Sequence, residues 1–235
     1  MGNLSETDDE IQGLGIGLKF NNFKIEDVDV EEAINITIVL DNSGSIGDCI
    51  DELNSNVQDM IAEFQRSHHA PKIFVQIVKF GSEIEVVNGF QPIGQLKQHT
   101  FNANMGTTRL YDAVHESLVN ALNYANSLES SGVLTKTFVY VITDGDDTDS
   151  ARDTAPKIKA LIDDIKKDER KSGNFISILF GIGSTGSFQH AKDLMGFQQM
   201  YQVGTSATEI RKMIGIISAS VSSATAAGPG AAVNF

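Results

Sequence analysis

Three short segments of this 235-residue chain carry oxygen ligands in a pattern that suits a hard cation. Asp41-Asn42-Ser43-Gly44-Ser45 places a carboxylate and two hydroxyls at alternate positions, after an apolar run (34–40) and before a periodic helix. Gly106-Thr107-Thr108-Arg109-Leu110-Tyr111-Asp112-Ala113 opens a second amphipathic helix and offers a threonine hydroxyl there. Val139-Tyr140-Val141-Ile142-Thr143-Asp144-Gly145 is a buried-strand pattern that ends in an aspartate and a glycine. Hard cations such as Mg²⁺ take oxygen ligands at about 2.0–2.1 Å in octahedral geometry and keep several waters. Asp, Ser and Gly are also ordinary turn and N-cap residues, so the first segment alone reads more readily as a helix cap. Three such segments along one edge of a parallel sheet stand where open α/β folds place their ligands.

Alternating strands and helices must position those segments. Residues 33–40 read as the first strand, and the helix after it stacks Ile50, Leu53, Val57, Met60, Ile61 and Phe64 at helical spacing. Residues 73–80 and 83–87 read as strands joined by a Gly81-Ser82 hairpin turn. A helix over about 109–126 aligns Leu110, Val114, Leu118, Ala121 and Leu122 on one face, and 137–143 is a strand buried on both sides. A helix near 155–167, with Pro156 in its first turn, precedes a strand at 175–180, a short helix at 188–194 and a last strand at 200–203. The final helix opens on Ser206 and Glu209, a capping box, and turns Ile210, Met213, Ile214 and Ile217 inward. The expected architecture is α/β: a doubly wound, mostly parallel central sheet flanked by helices.

DxSxS, a GxT about 60 residues later and a TDG about 35 beyond it resemble the von Willebrand factor A (VWA) domain, in this order and over roughly residues 33–220. The resemblance implies a Rossmann-like VWA fold and a complete metal-ion-dependent adhesion site. By the same resemblance Ser43 and Ser45 match the hydroxyls that ligate the metal directly, and Asp41 matches the carboxylate that acts through a coordinated water. Thr108 matches the family threonine, with Thr107 as its neighbour in reserve, and Asp144 matches the last carboxylate. Met105-Gly106 stands where many members carry Gly-Gly. The implied cofactor is Mg²⁺, with Mn²⁺ or Ca²⁺ as alternatives. The implied role is a non-enzymatic protein–protein interaction module that captures an Asp or Glu of a protein partner through the metal. The chain is similar to stand-alone cytosolic bacterial VWA proteins of tellurite-resistance and stress-response type, and to VWA partners of AAA+ ATPases in metal insertion. A Mg²⁺-dependent hydrolase or phosphatase is the competing class, but the three loops supply no His, Lys or Cys as base or nucleophile.

Composition narrows the partners. The chain carries 18 Lys and Arg against 31 Asp and Glu, a formal charge of −13, which argues against nucleic-acid binding through basic patches. Residues 1–32 alone hold nine acidic side chains against Lys19 and Lys24. A single cysteine, Cys49, rules out an intramolecular disulfide. No secretory signal pattern is legible, Glu6 breaks a myristoylation motif, and no apolar run reaches membrane-spanning length. A cytoplasmic location without membrane contact is therefore expected. The chain divides into a flexible acidic and Gly-rich segment (1–17), the VWA domain (18–222, with a possible edge strand at 18–30) and a low-complexity tail (223–235).

Other residues read as structural. Asp146, Asp147 and Asp149 form a solvated acidic loop without EF-hand spacing. Gly181-Ile182-Gly183-Ser184-Thr185-Gly186 satisfies GxGxxG but comes late in the chain, as a tight turn. Cys49 reads as a packing residue, His68 and His69 as helix-end residues, and His115 and His190 as ordinary helix residues.

Overall fold

A computed structural model describes residues 11–12, 19–103, 106–184 and 186–227. Six strands form one sheet in the order β5-β4-β3-β6-β7-β8: β3 (Glu32–Asp41), β4 (Ile73–Phe80), β5 (Ile84–Pro92), β6 (Leu134–Thr143), β7 (Phe175–Ile182) and β8 (Gln199–Val203). Five of them run parallel, and β5 closes one edge as an antiparallel hairpin partner of β4. The expected doubly wound α/β architecture is what the chain adopts. Two further short strands, β1 (Ile11–Gln12) and β2 (Lys19–Phe20), pair antiparallel outside this sheet.

Side-chain alternation along the strands divides the core. Ile34, Ile36, Ile38 and Leu40 of β3 face α1 (Ile50–Arg66) and α6 (Ala207–Ala226). Val39, Val139, Val141 and Leu179 face α2 (Leu110–Ser130), α3 (Ala155–Lys167) and α5 (Phe188–Met195). All ten residues of β3 are buried, which explains its near-continuous apolar sequence. A one-turn helix, α4 (Glu169–Ser172), leads into β7. The chain leaves β3 toward β4 on one side and returns through α2 to β6 on the other. The switch point therefore lies between the carboxyl ends of β3 and β6, where Asp41 and Asp144 stand.

The structure departs from the sequence reading in several places. Residues 19–30 do not extend the main sheet; they hold a two-residue strand and a 3₁₀ turn (Ile25–Asp27). Their link to the edge is local: the Phe23 N–H donates to the Phe90 carbonyl, and Asn22 Oδ1 accepts the Phe90 N–H at 3.0 Å. β5 runs to Pro92, past the expected end at 87, with a register irregularity opposite Val75 and Ile77. A 3₁₀ segment (Gly44–Cys49) separates the DxSxS turn from α1. α6 continues through Ala226 with Ala224 fully buried, four residues into the low-complexity stretch. Residues 228–235, and residues 1–18 apart from 11–12, lie outside the described residues.

The GxGxxG segment is the turn between β7 and α5, and its glycines make room for a ring. A Cβ on Gly181 or on Gly186 would run into the Phe188 side chain, and Gly183 adopts φ +83°. Gly181→Ala is therefore expected to destabilise the fold by about 1–3 kcal/mol through overpacking. Urea unfolding checks this, and the penalty should shrink when Phe188 is first replaced by Leu.

Candidate metal site

β3 ends at Asp41, whose carboxyl is fully buried. Its Oδ1 accepts the Ser43 N–H at 2.8 Å, and its Oδ2 accepts the Thr143 hydroxyl from the end of neighbouring β6 at 2.6 Å. Adjacent parallel strands thus hold both carboxylate oxygens in fixed directions. Ser43 stands at the start of the 3₁₀ segment, yet its side chain makes no capping hydrogen bond. The cap reading of DxSxS fails here. The Ser43 Oγ instead lies 3.2 Å from the Ser45 Oγ, and the Ser45 hydroxyl donates to Asp144 Oδ1 at 3.0 Å. A continuous chain of oxygens therefore runs from the end of β3 to the loop after β6.

Thr108 enters from a third loop, and backbone bonds fix that loop. The Thr108 N–H donates to the Thr148 hydroxyl at 2.9 Å, and the Thr108 carbonyl accepts the N–H groups of Thr148 and Asp149. The Arg109 N–H donates to the Gly81 carbonyl in the β4–β5 turn. Thr108 is buried, whereas Thr107 is exposed and its hydroxyl donates to Asp149 at 3.1 Å. Those contacts turn the Thr107 hydroxyl toward Asp149 and fix the Thr108 main chain.

One fully buried carboxylate organises both loops. Asp112, in the first turn of α2, accepts the N–H groups of Ala151, Arg152 and Asp153 at 3.2, 3.2 and 2.8 Å. The Arg109 guanidinium adds an ion pair at 2.6 Å, and the Ser150 hydroxyl accepts the Asp112 N–H. Burial acts to raise the Asp112 pKa, but the backbone donors and Arg109 outweigh it and hold the carboxyl below its ordinary value. Nothing in the sequence marks Asp112 for this, because three of its partners are main-chain groups about 40 residues away. Thr143 and Thr148 went unassigned for the same reason: each acts by orienting another group.

The electrostatics of the oxygen cluster run the other way. Burial raises the pKa of Asp41, and the charge of Asp144 raises it further, against the lowering influence of Thr143 and Ser43. Burial likewise raises Asp144, opposed by the Ser45 hydroxyl. Two desolvated carboxylates facing one spot favour a cation there. The donor set fits a hard divalent ion, since every group is an oxygen. The 3.2 Å serine separation is also close to the roughly 3.0 Å edge of an octahedron with ligand bonds of about 2.1 Å.

The von Willebrand factor type A domain profile matches residues 35–212. The chain belongs to that family. VWA domains are generally non-enzymatic modules of protein interaction. No protein of curated function matches this VWA domain in sequence. Among solved structures it is similar to the SpaC pilus adhesin of Lactobacillus rhamnosus GG, with TM-score 0.60 and 14% identity over 82% of this chain and 31% of that one. The D319A mutant of the PilB minor pilin from Streptococcus sanguinis gives 0.57 and 14%, over 86% and 65%. Proximal thread matrix protein 1 from the mussel byssus, solved with a zinc-occupied MIDAS motif, gives 0.52 and 14%, over 81% and 46%. This VWA domain spans about half or less of the length of most of these proteins, and at such identities the likeness is one of fold.

The remaining sequence candidates settle into structural roles in this VWA domain. Cys49 is buried, and its thiol donates to the Ile46 carbonyl. Burial, with Asp144 and Asp48 nearby, pushes it up to about 11, far from a reactive thiolate. The acidic loop is not simply solvated. Asp146 accepts the Ser187 N–H, Asp147 accepts the Tyr111 N–H and the Ser150 hydroxyl, and Asp149 accepts the Thr107 hydroxyl. The His68 and His69 rings lie 3.7 Å apart, tilted by 43°, just past the end of α1. No helix among the described residues is long and apolar enough to cross a membrane.

Asp112→Asn is expected to cost about 3 kcal/mol, the scale for losing charge-assisted hydrogen bonds at a buried acceptor. Chemical denaturation measures it. Because the folded pKa is depressed, the Asp112 contribution is complete above the ordinary value of 3.8 and is lost as pH falls through the lower folded value. The mutant's deficit should therefore narrow in strong acid.

Proposed function

We propose that this VWA domain is a metal-dependent interaction module that captures an acidic residue of a protein partner at Asp41, Ser43, Ser45, Thr108 and Asp144. The observation that carries this reading is the line of hydroxyls, Ser43 to Ser45, strung between two desolvated carboxylates at the sheet's switch point. A divalent cation bound there, Mg²⁺ or else Mn²⁺ or Ca²⁺, supplies a coordination position open to an outside carboxylate. The chain's own part is to present neutral hydroxyls close in and to keep Asp41 oriented by Thr143 and the Ser43 N–H. Arg109 and Asp112 hold the Thr108 loop in register. The zinc-occupied motif of the byssus protein supports a divalent ion at this position of the fold. A complete adhesion site in a cytoplasmic bacterial protein of the tellurite-resistance type, serving stress response or complex assembly, fits the acidic composition and the motif order.

Calorimetry with Mg²⁺ and Mn²⁺ tests the reading. Binding is expected in the wild type and should disappear in Asp41→Ala, whereas equal binding by both proteins overturns the assignment. Partner capture from the source lysate should be lost on adding EDTA and in Thr108→Ala. The ion should add little to folding: at about ten times its Kd it contributes about 1.4 kcal/mol. EDTA should then lower the melting temperature by a few degrees and leave the circular dichroism spectrum unchanged.

Affinity should also depend on pH with a definite sign. Burial makes Asp41 and Asp144 hold protons more tightly than free carboxyls, so protons compete with the cation. Cation affinity should fall as the pH is lowered, and the fall should begin at a higher pH than ordinary carboxylate values would give. Titrations in buffers of different ionisation heat will report the protons released.

A further inference from the structure

His115, Glu116 and Asp153 form a second cluster of ligating groups, one turn beyond Asp112 along α2. His115 and Glu116 lie in the second turn of α2, and Asp153 immediately precedes the N-cap of α3. One ligand atom from each lies within 4.8 Å of the other two. We propose that these three side chains form a second metal site, for a borderline transition-metal dication such as Zn²⁺.

Asp153 carries the argument. It is 4% exposed, and its Oδ1 is held by Lys157 at 3.1 Å. Its Oδ2 faces the His115 Nδ1 at 3.3 Å, an ion pair only when the imidazole is protonated; neither atom has a hydrogen-bond partner. A buried acceptor without a hydrogen bond is costly, and a neutral imidazole nitrogen set beside a carboxylate oxygen offers two acceptors to one cation. Glu116, with its side chain fully buried, brings a second carboxylate. Two carboxylates and one imidazole suit Zn²⁺, with bonds of about 2.0–2.2 Å, better than Mg²⁺, which prefers oxygen alone. Drawing ligands now within 4.8 Å into that sphere requires a contraction of about 1 Å, within reach of side-chain rotation.

The position is pre-organised and accessible. The Asp153 N–H donates to Asp112 Oδ1, so its main chain is pinned one turn before His115. The His115 side chain is 14% exposed, which leaves a route from solvent. Lys157 offsets part of the local negative charge, but it is itself more than half exposed and can swing away.

Zinc content after equilibrium dialysis against Zn²⁺ tests the site, because it counts ions whether or not the first site also takes zinc. His115→Gln should lower the zinc content by one equivalent relative to wild type, with an unchanged circular dichroism spectrum. Asp153→Asn, which keeps a partner for Lys157, should weaken the same equivalent at least tenfold. With Co²⁺ as the probe, the visible band of the imidazole-ligated ion should vanish in both variants and persist in Asp41→Ala. Equal zinc content in wild type and His115→Gln overturns the proposal. So does an Asp153→Asn variant that binds as wild type, since that is the behaviour of a lone surface histidine.

Discussion

The Asp112 carboxylate is the interaction on which the upper edge of this domain depends. Three main-chain N–H groups from the 151–153 segment and the Arg109 guanidinium converge on it in a fully buried position. A charge so buried is tolerable only when its lone pairs are filled, and here they are filled by backbone. The consequence is geometric. The loop after β6, the loop before α2 and the start of α3 become one unit, reinforced by Thr148 on Thr108 and by Asp147 on Tyr111 and Ser150. The sheet sets where Asp41 stands, and Asp112 sets where the other two loops stand relative to it.

Within that unit the carboxylates divide into two kinds. Asp112 has its pKa lowered by its own protein partners, whereas Asp41 and Asp144 have theirs raised by burial. Such opposite shifts in carboxylates held by the same set of loops mark a division of labour. The lowered group is saturated and structural. The raised groups are restrained by hydroxyls and an N–H, which orient them without neutralising them.

Much of this was legible in the sequence, and the rest was hidden for physical reasons. Continuous apolar strands and helical stripes located α1, α3, α6, β4 and β7 to within a few residues, because burial on a regular element leaves a period. The oxygen motifs nominated Asp41, Ser43, Ser45, Thr108 and Asp144 by type and order, and the fold links Asp41, Ser43, Ser45 and Asp144 through hydrogen-bonding contacts. β5 was read short because Asn88 and Gly89 look like turn residues; in the fold Asn88 bonds the Val75 carbonyl and Gly89 makes room for the Asn21 backbone. Residues 19–30 looked like an edge strand, but a side chain, Asn22, takes the edge N–H that a strand would have used. Asp112, Thr148 and Asp153 left no trace, since their partners are main-chain groups or side chains brought close only by the crossover from β6 to α3. His115 read as an ordinary helix residue because its significance lies wholly in Asp153.

The two ends of the central strand show how the fold treats buried charge. At the amino end of β3, Glu32 is fully buried and pairs with Lys136 at 2.8 Å, and the same ammonium donates to the Ala224 carbonyl near the end of α6. That triad compensates its charge from within the chain and ties α6 to the sheet, which accounts for the helix running past its expected end. At the carboxyl end of the same strand Asp41 is buried to the same degree, yet no Lys or Arg is paired with it among the described residues. Leaving a buried carboxylate without a cation costs stability, and the fold has the means to avoid it, as Glu32 demonstrates. The asymmetry is what the proposed function requires: at the edge where three loops converge, a cation bound from outside would supply the compensating charge.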